Sequence, residues 1–175
     1  MSASPTAPDI SGADIANLSE PTGTDKWWND AATSGRPKGQ TFTTGDIGVL
    51  LKSFTYQVTT SQQAMPTKTY AIRVGTVSGE IFTEIYSETA TQDFEWQGGD
   101  FMTWSFDVPV QLDPNTVYGI DVGMLSSTSS WQSGIPYIYR TSNEYPDGTR
   151  YMSGTGGRGL GDSTMNNVSG DMVFH

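Results

Sequence analysis

Three of the five tryptophans in this chain stand in polar, turn-forming segments, where a ring is available for chemistry rather than for a core. Trp131 lies in Ser126-Ser127-Thr128-Ser129-Ser130-Trp131-Gln132-Ser133-Gly134, and Trp27-Trp28 lie in Asp25-Lys26-Trp27-Trp28-Asn29-Asp30, with little apolar periodicity around either. An indole in such a setting either packs as a satellite beneath its own loop or faces solvent as a platform. A platform suits one chemistry in particular, in which the ring packs on the apolar C–H face of a pyranose while amides, carboxylates and guanidinium groups bond the equatorial hydroxyls. The polar loops carry that mixture in three clusters: Trp27, Trp28, Asn29, Asp30 and Arg36; then Trp131 and Gln132; then Arg140, Asn143, Glu144, Tyr145, Asp147, Arg150 and Tyr151. Trp131 is the expected centre of the ligand site, with Trp28, Tyr145 and Tyr151 as its companions. Of the vicinal pair, extended chain points the two rings to opposite faces, so one anchors the preceding segment and the other is freer. Trp96, in Asp93-Phe94-Glu95-Trp96-Gln97, reads as the extension of an edge strand.

Other chemistries find less support. Gly154-Thr155-Gly156-Gly157-Arg158-Gly159 satisfies G-x-G-x-x-G, but a dinucleotide site needs a buried strand before it and a helix opening at the third glycine. Leu160-Gly161-Asp162-Ser163-Thr164 opens no helix, so the stretch reads as a glycine loop beside the ligand site. One structural Ca²⁺ is a candidate cofactor, held by Asp162 and Asp171, with Asp46 and Glu20 also in loops or at strand ends; no EF-hand spacing occurs. Cysteine is absent and the lone His175 ends the chain, which argues against thiol nucleophiles, zinc and a Ser-His-Asp triad. A glycosidase needs only two carboxylates facing one cleft, and 19 acidic residues leave that alternative open.

The elements that must position these residues read as strands. Met102, Trp104, Phe106 and Val108 alternate with Thr103, Ser105 and Asp107, which makes Trp104 a core residue. The same period puts Leu50, Phe54, Tyr56 and Val58 on one face, and Tyr118, Ile120 and Val122 on another strand's inner face. Residues 69–74 alternate as well, and Ser78-Gly79 separates them from residues 80–86 as a hairpin. Shorter strands are expected at 40–44, 135–141, 150–153 and 172–174. Trp104, Phe106, Tyr118, Ile120, Val122, Phe54, Tyr56, Ile72 and Val74 should therefore form one buried cluster. Eight or nine strands with no amphipathic helix predict an all-β chain, an antiparallel β-sandwich in jelly-roll layout, with an Ig-like sandwich as the alternative. Residues 1–23, rich in Ser, Ala, Pro, Thr and Gly, read as an extended, partly ordered lead-in to one domain over 24–175.

Certain segments carry a resemblance. Gly39-Gln40-Thr41-Phe42-Thr43-Thr44-Gly45, Leu51-Lys52-Ser53-Phe54-Thr55, Trp104-Ser105-Phe106 and Leu112-Asp113-Pro114-Asn115-Thr116-Val117-Tyr118-Gly119, in that order, resemble the non-catalytic jelly-roll domains of secreted bacterial multidomain proteins. The resemblance spans roughly residues 39–124. It implies a carbohydrate-binding module or a neighbour of polysaccharide-degrading enzymes; other such domains act as spacers or in surface attachment. It transfers no ligand-binding position.

Charge narrows the partners. Nine basic residues against 19 acidic ones give a formal charge of −10, which repels polyanions, so nucleic acid and acidic membranes are not expected as partners. Met1–Pro5 shows no signal-peptide pattern and Gly170–His175 reads as a strand still under way, which suggests a piece of a longer exported protein. The expectation is a non-enzymatic module for a neutral polysaccharide, joined covalently to other domains in a secreted or cell-surface protein. A structural or adhesive domain without a glycan site and a small glycoside-active enzyme are the alternatives.

Overall fold

A computed structural model of the chain describes residues 1–7, 9, 15–26, 37–59, 68–92, 97–124, 137–153 and 164–175. The described chain is all-β, with no helix among the described residues, and its sheets are antiparallel and unclosed. Twelve strands occur: β1 (Ser2–Ser4), β2 (Gly23–Lys26), β3 (Lys38–Thr43), β4 (Val49–Gln57), β5 (Lys68–Ser78), β6 (Ile81–Gln92), β7 (Phe101–Leu112), β8 (Val117–Met124), β9 (Tyr137–Thr141), β10 (Arg150–Ser153), β11 (Met165–Asn167) and β12 (Asp171–Met172). One sheet has six strands in the order β11-β10-β3-β8-β5-β6, and two have three, β1-β7-β4 and β12-β9-β2. The three-stranded sheets are linked by bridges from Tyr56 to Phe174 and from Val58 to Ile138.

The core follows from alternation in facing strands. All nine residues expected in it belong to one buried cluster, which draws Phe42, Ile72, Val74, Tyr118, Ile120 and Val122 from the six-stranded sheet and Phe54, Tyr56, Met102, Trp104 and Phe106 from β4 and β7. Trp104 is at its centre, edge-on to Tyr56 and Tyr70 at 6.1 and 5.7 Å and stacked on Phe54 at 6.2 Å. Such geometry adds to the burial of large rings by roughly 0.5–1.5 kcal/mol per pair.

Two residues expected to face inward do not. Val108 and Leu50 are 64% and 50% exposed, because the β4–β7 ladder loses its register between them. Leu51 faces Val110 and Ser53 faces Ser105, so residues 106–109 stand against Lys52 alone. Pro109 has no N–H to give the ladder, and Asp107, Val108 and Pro109 bulge outward while Phe106 stays in the core. Beyond the irregularity the phase of β4 is reversed, and Val49 and Leu51 pack on the core instead of Leu50.

The turns match their chemistry. In the β5–β6 hairpin Ser78 pairs with Ile81, and Gly79, at φ +60°, takes the positive-φ position of the two-residue turn. At Pro114-Asn115, the Asp113 N–H donates to the Tyr118 hydroxyl (2.8 Å), while the Thr44 hydroxyl donates to Asp113 O (2.6 Å) and accepts from the Thr116 N–H (3.0 Å). Within the stretch read as lead-in, Ser2–Ser4 pairs with β7 as an edge strand, and Asn17 bridges to Phe174.

Candidate functional site

Trp27, Trp28, Arg36, Trp96, Trp131, Gln132, Arg158 and Asp162 lie outside the described residues, in segments 27–36, 93–96, 125–136 and 154–163. The strand ends that flank these segments are described, and their registers place them together. Lys26 pairs with Tyr137, Lys38 with Val122 and Met152, Tyr70 with Met124, Lys68 with Gln92, and Ser153 with Met165. The Tyr56 hydroxyl donates to Lys38 O at 3.3 Å and joins β4 to the same end of the six-stranded sheet. The chain therefore enters and leaves segments 27–36, 93–96 and 125–136 at one end of the sheets; segment 154–163 departs from that end, but Thr164 bridges to Ile81 and the Met165 N–H donates to Glu80 O (2.9 Å) at the β5–β6 hairpin turn.

The third expected cluster sits elsewhere. From Lys38, β3 runs away from that end, and it is Thr41 and Thr43 that hold residues 147–149: Thr41 N–H donates to Thr149 O (2.9 Å) and the Thr43 hydroxyl to Asp147 O (3.1 Å). Tyr145 is half-buried there, edge-on to Phe174 at 5.2 Å. Its phenol is pushed up to about 12, chiefly by burial and then by the charges of Asp147 and Asp171. Asn143, at φ +26°, accepts the Gly170 N–H at 2.9 Å, and Glu144 is exposed. Arg140 is half-buried on β9, with Nε 3.4 Å from Thr24 O.

Arg150, Tyr151 and Asp171 are enclosed, at 7%, 0% and 1% exposure. Arg150 donates to Ser169 O at 2.8 Å, and the Asp171 carboxylate accepts from Gln40 Nε2 (3.2 Å) and the Tyr145 N–H (3.0 Å). The structure thus separates Tyr145, Asn143 and Glu144 from the strand ends that carry the tryptophan segments, and turns Arg150 and Tyr151 inward. Among the described residues no group of three or more His, Asp or Glu is placed to hold a metal ion.

Tyr151 belongs to a second buried cluster, with Phe82 and Met165 on the six-stranded sheet. Its ring lies on Gly39, where a methyl group would collide with it, and its hydroxyl is directly over Gly119. Gly75 gives the same room to Phe82. Beneath these rings Arg73 and Asp121, cross-strand partners on β5 and β8, form a bidentate pair at 2.9 and 2.6 Å. The Arg73 guanidinium also lies 4.7 Å from the Phe82 ring centroid. Burial alone would lower the pKa of the guanidinium, and the bonds and charge of Asp121 reverse that.

A groove of about 430 Å³ opens on the opposite sheet, lined by Leu18, Ser19, Glu20, Pro21, Gln57, Gly99 and Tyr139. Its placement is built from the backbone. Ile138 points into the core, so its neighbour Tyr139 points out. Val173 accepts the Gln57 N–H through its carbonyl and donates its own N–H to Tyr139 O, both at 3.1 Å, so Gln57 and Tyr139 flank one residue across the sheet. One wall is residues 18–21, strung between two anchors. Asn17 donates its amide to the Thr141 hydroxyl and Met172 O, both at 2.9 Å, and Thr22 N–H donates to Arg140 O at 2.9 Å. The other wall is the Gly98-Gly99 turn, where Gly99 N–H donates to Val58 O and the Gln57 amide nitrogen to Gly99 O, at 2.9 and 3.0 Å.

Among these lining residues Glu20 alone is a candidate ligand in the sequence, for calcium. Alternation with Ile138 and with Tyr56 and Val58 turns Tyr139 and Gln57 outward; that they and Glu20 share one groove has no local pattern, because it is made by pairings far apart in sequence. Compared with family models, with curated proteins and with solved structures, the chain matches none.

Proposed function

We propose that this chain is a β-sandwich of jelly-roll layout that binds a neutral polysaccharide and tethers a larger secreted or surface protein to it. The observation that carries the reading is the gathering of strand ends: Trp27, Trp28, Trp96 and Trp131 fall in three segments whose flanking strand ends lie at one end of the sheets. Rings supplied from several loops at one rim suit a polymer better than an enclosed small molecule, because a chain must pass through the site. The formal charge of −10 favours an uncharged one. The jelly-roll layout is supported by the non-sequential strand order, with β3 between β8 and β10, and by a core filled from two sheets. Linkage to the rest of a larger protein raises the local concentration of whatever it carries on the polymer.

The test is retention on insoluble or gel-embedded glucans, mannans and xylans, with alginate and a sulfated polymer alongside. Wild-type protein should be retained by a neutral polymer with little change between low salt and about 0.5 M NaCl, where exposed charge pairs are screened. Trp131→Ala should weaken retention by roughly 1–3 kcal/mol and leave the melting temperature unchanged. Salt-sensitive retention on the anionic polymers alone would replace the ligand class. Release of reducing ends would favour a glycoside-active enzyme, and no retention anywhere a structural or adhesive domain.

A further inference from the structure

We propose that the Tyr139 groove is a sugar subsite, continuous with the rim at which the tryptophan segments arise, and that it takes one neutral pyranose unit of the bound polymer; this rests on the polysaccharide-binding reading above. Three observations carry it. The first is chemical: one open groove is lined by residues that carry a phenol ring, an amide, a hydroxyl and a carboxylate, Tyr139, Gln57, Ser19 and Glu20. A ring face with acceptors and donors beside it recognises a sugar's C–H face and its hydroxyls together. The Gln57 amide is oriented by its bond to Gly99 O, which leaves Oε1 as an acceptor for a sugar hydroxyl. Among the described residues Glu20 is the only charged side chain lining the groove, so an anionic sugar unit would meet a like charge.

The second is dimensional. Gln57 and Tyr139 flank Val173, so two strand spacings, roughly 9–10 Å, separate their backbones. The groove of about 430 Å³ has room for a single pyranose ring. The third is position. Gln57 and Gly99 lie beside Val58, whose partner Ile138 is next to Tyr137, and Tyr137 is paired with Lys26, the residue before Trp27-Trp28. The groove therefore adjoins the strand end from which segment 27–36 departs.

Wild-type protein, Tyr139→Phe, Tyr139→Ala and Ser19→Trp are compared by affinity electrophoresis on the neutral polysaccharide that the wild type retains, with melting temperatures measured in parallel. Tyr139→Phe, which keeps the ring, should bind within about threefold of wild type, and Tyr139→Ala should lose roughly tenfold in affinity. Ser19→Trp fills the groove from an exposed wall position without touching the ladder, and it should lose at least as much even if Tyr139→Ala unfolds. Wild-type affinity in Tyr139→Ala or Ser19→Trp, alongside weakened Trp131→Ala, would overturn the subsite and leave the polysaccharide reading standing. Failure of the wild type to bind any neutral polysaccharide would overturn both.

Discussion

At the scale of residues, the Arg73–Asp121 pair shows what an enclosed charge demands. Both side chains are at most 2% exposed, and each supplies the partner the other needs. Removing Asp121 strips the enclosed Arg73 guanidinium of its bidentate partner and leaves Glu84, at 4.0 Å, beside it, so Asp121→Ala should destabilise by about 3–5 kcal/mol in urea unfolding. The double variant Arg73→Met/Asp121→Leu should recover most of that loss, because well-packed apolar groups of similar volume replace a buried pair at little cost. If the double variant is as unstable as the single, the pair contributes more than mutual neutralisation. Tyr151 makes the same point about site prediction. Its neighbours Arg150, Asp147 and Tyr145 gave it the composition of a binding loop, but pairing with Gly39 turns it onto a glycine surface and closes it off.

At the scale of elements, the irregular stretch of the β4–β7 ladder separates two valines that look alike in sequence. Val108→Lys should change stability by less than about 0.5 kcal/mol, since its side chain is already in solvent. Val110→Lys should cost several kcal/mol, since it sits in the core at 8% exposure. Thermal or urea unfolding of the two variants reads the difference directly, and equal losses would place Val108 in the core after all. Strand existence and facing were legible wherever period two holds without interruption, as in Tyr118, Ile120 and Val122. The phase reversal was not, because it arises from four residues of β7 meeting one of β4, and a pattern read along one strand carries no record of its partner. The same limit applies to the groove. Gln57, Glu20 and Tyr139 become neighbours only through Asn17, Thr22 and Val173, none of which marks a site by type or spacing. Of the expected ligand residues, those of the third cluster were scattered by register: β3 carries residues 147–149 to one end of the sheet and draws Tyr151 into its middle.

At the scale of the whole molecule, stability has an alkaline limit set by phenols. Tyr70 and Tyr151 are fully enclosed and burial raises both far above 10, while Tyr145 is pushed up to about 12. Each group's folded value exceeds its unfolded one, so its contribution is complete below about pH 10 and is lost as pH rises toward the folded value. The slope is about 1.4 kcal/mol per pH unit for each enclosed phenol, and smaller for Tyr145, which solvent partly screens. Urea midpoints between pH 8 and 11.5 should fall above pH 10, with the phenolate absorbance of these rings appearing only on unfolding; a flat profile would mean the rings ionise in place. The strand order has a further consequence, for the chain as it is made. β3 lies between β8 and β10, so a strand ending at residue 43 has no partner in its sheet until residues 117–124 exist, while β5 and β6 already close on each other. An unpaired strand in a growing chain is an invitation to another chain. Lys38-Gly39-Gln40-Thr41-Phe42-Thr43 holds one large apolar residue among polar ones, and a nascent segment of that composition is poor material for the dry interdigitation that seeds aggregates.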